Sequence, residues 1–264
     1  MSARHPGPDP AAVDWSRIDA VLFDLDGVLT PTAEIHERAW KQTFDDFLTD
    51  PNAPSGDDTS EFTGDDYLRY VDGKPRYDGV RSFLESRGIE LPRGSPYDEP
   101  GHDTIAAVGN AKNDAFQKVL RRDGIDGYPG SVALLDVLQD REVKMAVVSS
   151  SRNAGEVLKV SGLARRFDVV VDGGVAKAEG LAGKPAPDTF ELAARRVGVP
   201  PERAAVAEDA LSGVAAGRAG SFGLVIGVNR GAGHDALLEH GADVVVNDLD
   251  ELIEAARHAG GSVS

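Results

Sequence analysis

The sequence predicts an α/β fold: a Rossmann-like, doubly wound parallel sheet interrupted by an inserted, mostly helical cap domain. Three observations carry that expectation. From position 131 onward, short β-rich runs alternate with helical patterns, the rhythm of a parallel sheet with right-handed crossovers. An isolated apolar run over 19–24 supplies a further strand of the same kind. Between these parts, residues 50–128 hold loop-rich stretches and helical patterns but no long β-branched run.

Composition agrees with this layout. The chain has 264 residues, 41% hydrophobic and 27% charged, which is ordinary globular usage. At about 150 residues per domain, that length suits one large domain or one domain with an insertion. It is long enough to bury most of its apolar surface without staples. The absence of cysteine excludes disulfides, thiolate metal sites and cysteine nucleophiles. A net charge of −16 argues against a broad nucleic-acid face or a polybasic membrane surface. It leaves room for a phosphorylated small molecule, because a few placed cations or a bound divalent ion outvote global charge locally. No stretch resembles a signal peptide or a membrane span. A soluble, cytoplasmic monomer that binds neither nucleic acid nor membrane is therefore expected.

The elements follow in order. Residues 1–16 are rich in Pro, Ala and Gly and read as a flexible tail. The run Asp19-Ala-Val-Leu-Phe-Asp24 reads as a buried strand. A helix over 32–48 follows, with Ile35, Ala39, Trp40, Phe44, Phe47 and Leu48 on one stripe. The cap is expected over 33–129, with helices over 79–87 and 102–122 and a linker, Ile125-Asp-Gly-Tyr-Pro-Gly130. The core takes 17–32 and 130–264. Its later strands read as 143–148, 169–171, 204–207, 222–228 and 243–246, with helices such as 188–197 and 210–219 between them.

Ligand sites of such sheets lie at the carboxyl ends of the strands, and there the polar residues cluster. The first strand ends in Asp24-Leu-Asp26-Gly27; two carboxylates so close repel unless one is protonated or a cation intervenes. The plain alternative is a turn, which Asp and Gly also favour. The 143–148 strand ends in Ser149-Ser150-Ser151-Arg152-Asn153 before a helix. This is either an anion pocket at the helix start or simple capping. Gly183-Lys184-Pro185 fixes a lysine at a loop tip; the alternative is an ordinary surface lysine. The 204–207 strand leads into Glu208-Asp209, which could equally decorate the following helix N-terminus. Taken together, carboxylates at two strand ends, hydroxyls at a third and a constrained lysine suggest Mg²⁺ bound by oxygen ligands and phosphoryl transfer through an aspartyl-phosphate.

The motifs DLDGVLT, VVSSS, GKPAPDTF and AEDA, in this order, resemble the four motifs of the haloacid dehalogenase superfamily. The resemblance spans the core, and an Asp at position 26 resembles its phosphatase and phosphomutase branches rather than the dehalogenases. It implies Asp24 as nucleophile and Asp26 as general acid/base. It also implies that Ser149 and Lys184 hold the transferring phosphoryl group. Asp24, the Asp26 carbonyl, Glu208 and Asp209 would then surround Mg²⁺. The insertion resembles the cap of the β-phosphoglucomutase family through Thr32-Ala-Glu-Ile-His36-Glu-Arg-Ala-Trp40, Gly73-Lys-Pro-Arg76 and Lys112-Asn113-Asp114. Residues at roughly 88–102 do not align with the motifs of that cap, and Pro31 stands where an acidic residue is expected.

That likeness implies that Arg76 with Ser151, Arg152 and Asn153 holds a second phosphate. His36, Trp40 and Lys112 would position a sugar and Asp26, with Ser150 and Asn113 as further substrate-binding residues and Thr32 at a hinge. For several of these a plain structural role is also open: Trp40 lies on the apolar stripe, and His36, Arg152 and Lys112 could be solvated surface groups. The implied partner is a phosphorylated sugar, and the implied reaction interconverts β-glucose 1-phosphate and glucose 6-phosphate through glucose 1,6-bisphosphate. Two alternatives remain open at this point: a sugar-phosphate phosphatase and a non-catalytic phospho-ligand binder. No P-loop or dinucleotide fingerprint is present.

Overall fold

The computed structural model describes residues 9–71 and 74–258. They divide into two compact units, Met1–Pro31 with Ile125–Ser264 and Thr32–Gly124. The first unit holds six parallel strands, β1 (Ala20–Phe23), β2 (Lys144–Val148), β3 (Val169–Val171), β4 (Ala204–Glu208), β5 (Leu224–Val228) and β6 (Val244–Val246). They stand in the order β3-β2-β1-β4-β5-β6. Ala20 to Phe23 pair with Lys144 to Val147 on one side and with Ala204 to Ala207 on the other. Every residue of β1, β4 and β5 is buried, as continuous apolar runs in a sheet covered on both faces should be. The chain builds outward from β1 through β2 to β3, then returns to the far side of β1 with β4. That reversal opens a crevice at the carboxyl ends of β1 and β4.

The inserted unit is helical. Its long helices are α1 (Thr32–Thr49), α2 (Arg76–Ser86) and α3 (Ile105–Asp123), and α3 packs against both others. The core is aromatic, with Phe44 lying 5.1 Å from Trp40, 5.1 Å from Phe62 and 4.0 Å from Phe83, centre to centre. Helix α3 starts later than expected because Thr104 caps it, accepting from the Ala107 amide at 2.9 Å. Segment 88–102 folds back on this cap: Thr104 donates to Asp98 at 2.7 Å, and Asn110 donates to the Asp98 carbonyl at 2.8 Å.

The remaining helices of the first unit are α4 (Pro129–Asp140), α5 (Ala154–Val160), α6 (Gly173–Ala178), α7 (Asp188–Val197), α8 (Leu211–Ala219), α9 (His234–Glu239) and α10 (Ile253–His258). Pro129 opens α4 with its φ already helical, and Gly198 closes α7 in the left-handed region at φ 72°. Leu22, Val148, Phe190, Val206 and Val225 meet in one core between sheet and helices. The expected tail needs correction over 9–16. Two 3₁₀ turns, Pro10–Ala12 and Trp15–Arg17, are capped by Asp9 and Asp14, and Trp15 is buried. Burial of the Trp15 indole and the two aspartate caps anchor this segment. The earlier part of that expectation, 1–8, and Gly73 lie outside the described residues.

Candidate active site

Asp24 follows β1 directly, and its amide donates to the Ala207 carbonyl at 2.9 Å, so the carboxylate leaves the sheet beside the end of β4. Glu208 ends β4, fully buried, and accepts from the Ala210 amide at 2.9 Å. The Lys184 ammonium joins the two. It donates to Asp24 Oδ1 at 2.5 Å, to Glu208 Oε1, and to the Val148 carbonyl at 3.3 Å. Residues from three strand ends and one loop therefore meet around a single buried amine. Lys184 is no ordinary surface lysine.

Past Asp24 the chain turns at Gly27, whose φ of +87° favours glycine. The Gly27 amide donates to the Thr30 carbonyl at 2.9 Å. A Cβ here would lie 2.0 Å from Asp209 Oδ2, so the bare glycine is what lets Asp209 approach the loop. Buried Ser149 links this loop to the end of β2: its hydroxyl donates to Asp26 Oδ2 at 3.3 Å and accepts from the Ser151 amide at 3.1 Å. Ser151 in turn accepts from the Asn153 amide at 3.1 Å. Ser150 and Arg152 are exposed in the same turn.

The electrostatics follow from crowding. Burial pushes the Asp24 carboxyl well above the usual range, and the charges of Glu208, Asp26 and Asp209 add to this while Lys184 opposes it. Burial, then the Glu208 charge, pushes Asp209 up to about 7. Burial disfavours the charged form of Lys184, but Asp24 and Glu208 together outweigh it and hold the ammonium charged. One lysine does not neutralise four neighbouring carboxylates.

The chemistry of this donor set, carboxylate oxygens with neither His nor Cys, is the kind that a hard divalent cation takes. Among the described residues no three Asp, Glu or His side chains already stand at ligating separation. The cation between Asp24 and Glu208 here is Lys184.

The model of the haloacid dehalogenase-like hydrolases matches residues 18–220. The chain belongs to that family. It is accordingly an enzyme of the phosphotransferase and phosphatase kind. It is 51% identical over 241 residues to a beta-phosphoglucomutase of Mycobacterium tuberculosis, covering 90% of this chain and 92% of that one. It is 28% identical over 241 residues to a phosphorylated carbohydrates phosphatase of Thermotoga maritima, covering 89% and 97% respectively. Among solved structures, CbbY from Rhodobacter sphaeroides in complex with phosphate matches with a TM-score of 0.67 and 27% identity, over 89% of this chain and 96% of that one.

The inserted unit gathers its own candidates. The Lys112 ammonium, buried, bonds His36 Nδ1 at 2.6 Å and lies 4.9 Å from the Trp40 ring centre and 5.2 Å from that of Phe116. Accepting at Nδ1 leaves His36 with its proton on Nε2. Burial, with the Lys112 and Arg76 charges adding to it, pushes the His36 pKa well below its usual value, so the ring is neutral. His36 and Lys112 are thus partners, not solvated surface groups. Arg76 opens α2 half-buried beside Tyr77, Asn113 follows Lys112 half-buried, and Thr32 opens α1 fully buried.

Two positions escaped the sequence reading. Phe116 stacks on His36 at 4.3 Å between centres, and Gly213 leaves the room that Glu208 fills, since a Cβ there would lie 1.8 Å from Oε1. A helical spacing of four from Lys112 to Phe116 was the available signal for the first.

Proposed function

We propose that this enzyme interconverts β-glucose 1-phosphate and glucose 6-phosphate through an aspartyl-phosphate on Asp24 and a glucose 1,6-bisphosphate intermediate. The observation that carries the reading is the junction of Asp24, Lys184 and Glu208 at the switch point of a chain 51% identical to a beta-phosphoglucomutase.

A carboxylate oxygen of Asp24 attacks phosphorus and the P–O bond to the departing sugar oxygen breaks; in the return step a sugar hydroxyl attacks the same phosphorus and the P–O bond to the Asp24 carboxylate breaks. Asp26 gives a proton to the leaving oxygen in one direction and takes it from the attacking hydroxyl in the other. Lys184 and Ser149 hold the transferring phosphoryl oxygens, so its charge meets an ammonium and a hydroxyl donor instead of carboxylates alone. Asp24, the Asp26 carbonyl, Glu208 and Asp209 would hold Mg²⁺, which supplies charge neutralisation when bound. In this reading Arg76 with Ser150, Ser151, Arg152 and Asn153 holds the phosphate that is not transferring. His36, Trp40, Lys112 and Asn113 orient the sugar. A mutase needs that second anion site, because the bisphosphate must be held while its other end is presented to Asp24.

A coupled assay tests this: glucose 6-phosphate formed from β-glucose 1-phosphate with Mg²⁺ and bisphosphate present, against inorganic phosphate released. Isomerisation should dominate. Phosphate release as the main product would make the enzyme a sugar-phosphate phosphatase instead.

A further inference from the structure

Arg230, in the loop between β5 and α9, reaches three acceptors far apart in sequence. Its Nε donates to the Gly27 carbonyl at 3.0 Å, Nη1 to the Asn247 carbonyl at 2.8 Å and Nη2 to Asp248 Oδ1 at 3.0 Å. The guanidinium lies 3.8 Å from the centre of the Tyr128 ring. A flat fork stacked on an aromatic ring holds donor directions that a lysine does not reproduce.

The consequence runs through peptide geometry. The Gly27 amide is tied to the Thr30 carbonyl. In a trans peptide the N–H and C=O point in opposite directions, so this bond also sets where the Asp26 carbonyl points. Arg230 fixes the following peptide through the Gly27 carbonyl. Both planes flanking Gly27 are therefore pinned while its α-carbon packs against Asp209. The other half of the clamp, Asn247-Asp248, is itself braced: Glu251 accepts from the Asn247 amide at 2.8 Å, and Asp248 caps the turn Leu249–Leu252.

We propose that Arg230 is a positioning residue for the Asp24-Leu25-Asp26-Gly27 loop: its hold on the Gly27 carbonyl fixes the peptide after Gly27 and so braces the Asp26 peptide that the Thr30 bond orients, and with it the uptake of Mg²⁺ and a phosphoryl group at Asp24. This rests on Asp24 as phosphoryl acceptor and is independent of which sugar is used.

The test uses the full chain and compares Arg230→Lys with Arg218→Ala. Arg218 makes a similar clamp, to the Gly241 carbonyl and Asp243, away from the loop. The readouts are the Mg²⁺ concentration giving half of the thermal shift induced by beryllium fluoride, the melting temperature alone, and kcat and KM. Arg230→Lys should need about tenfold more Mg²⁺ and lose about tenfold to a hundredfold in kcat, with KM for the sugar phosphate changed less than about twofold. Arg218→Ala should keep parental kcat and Mg²⁺ dependence at an equal loss of stability. Parental Mg²⁺ dependence and kcat in Arg230→Lys would overturn the assignment, as would equal catalytic losses in Arg218→Ala.

Should Arg230→Lys not fold, Tyr128→Leu removes the ring on which the guanidinium stacks. A smaller shift in the same direction supports the role, and none overturns it. A phosphatase outcome in the product assay would leave the beryllium fluoride result intact, so the two failures are separable.

Discussion

At the residue scale, the site is a problem of charge and space. Gly27→Ala forces a Cβ into Asp209 at a φ that disfavours any side chain. It should cost more than about 1 kcal/mol in urea unfolding and lower kcat by at least about tenfold. Asp24→Asn should remove turnover while leaving the circular dichroism spectrum unchanged.

His36 supplies a pH signature with a definite sign. Its folded pKa lies well below its ordinary value, so the unfolded chain takes up its proton first as pH falls. The stability that neutral His36 contributes is present above about pH 6.5 and declines below it, by at most about 1.4 kcal/mol per pH unit. His36→Asn should flatten this limb of a melting-temperature profile. An unchanged profile would mean that the ring is not held neutral.

At the element scale, the inserted unit depends on Phe44, which touches three other rings at its centre. Phe44→Ala should destabilise it by about 3–5 kcal/mol in chemical denaturation. The strands and main helices were readable in the sequence because short apolar runs and 3.6-residue stripes state burial directly. Where the reading was incomplete, the cause was tertiary. Trp15 lies in a Pro/Ala/Gly-rich stretch whose order comes from its indole being buried, which no local pattern announces. Segment 88–102 has no periodicity, being held by the hydrogen bonds of Asp98 and Asn110. Helix starts moved by up to three residues because caps and prolines, not the apolar stripe, decide them.

At the scale of the whole molecule, the acidic motifs could be read because a parallel sheet sends every strand end to one edge. Asp24, Ser149 and Glu208 are dispersed in sequence but adjacent by topology. Arg230 could not be read, since a lone arginine in a Gly-rich loop gives no sign that its partner lies 203 positions away. No helix among the described residues is long and apolar enough to cross a membrane.

The proposed chemistry makes Asp24 the one side chain that carries the phosphoryl group. Incubation with glucose 1,6-bisphosphate and Mg²⁺, quenching with borohydride and peptide mass spectrometry tests that directly, because borohydride reduces an acyl phosphate to the alcohol. Homoserine at position 24, absent from protein not exposed to bisphosphate, is the expected result. Unmodified aspartate at 24 during active turnover, or homoserine at 26 or 209 instead, would contradict it.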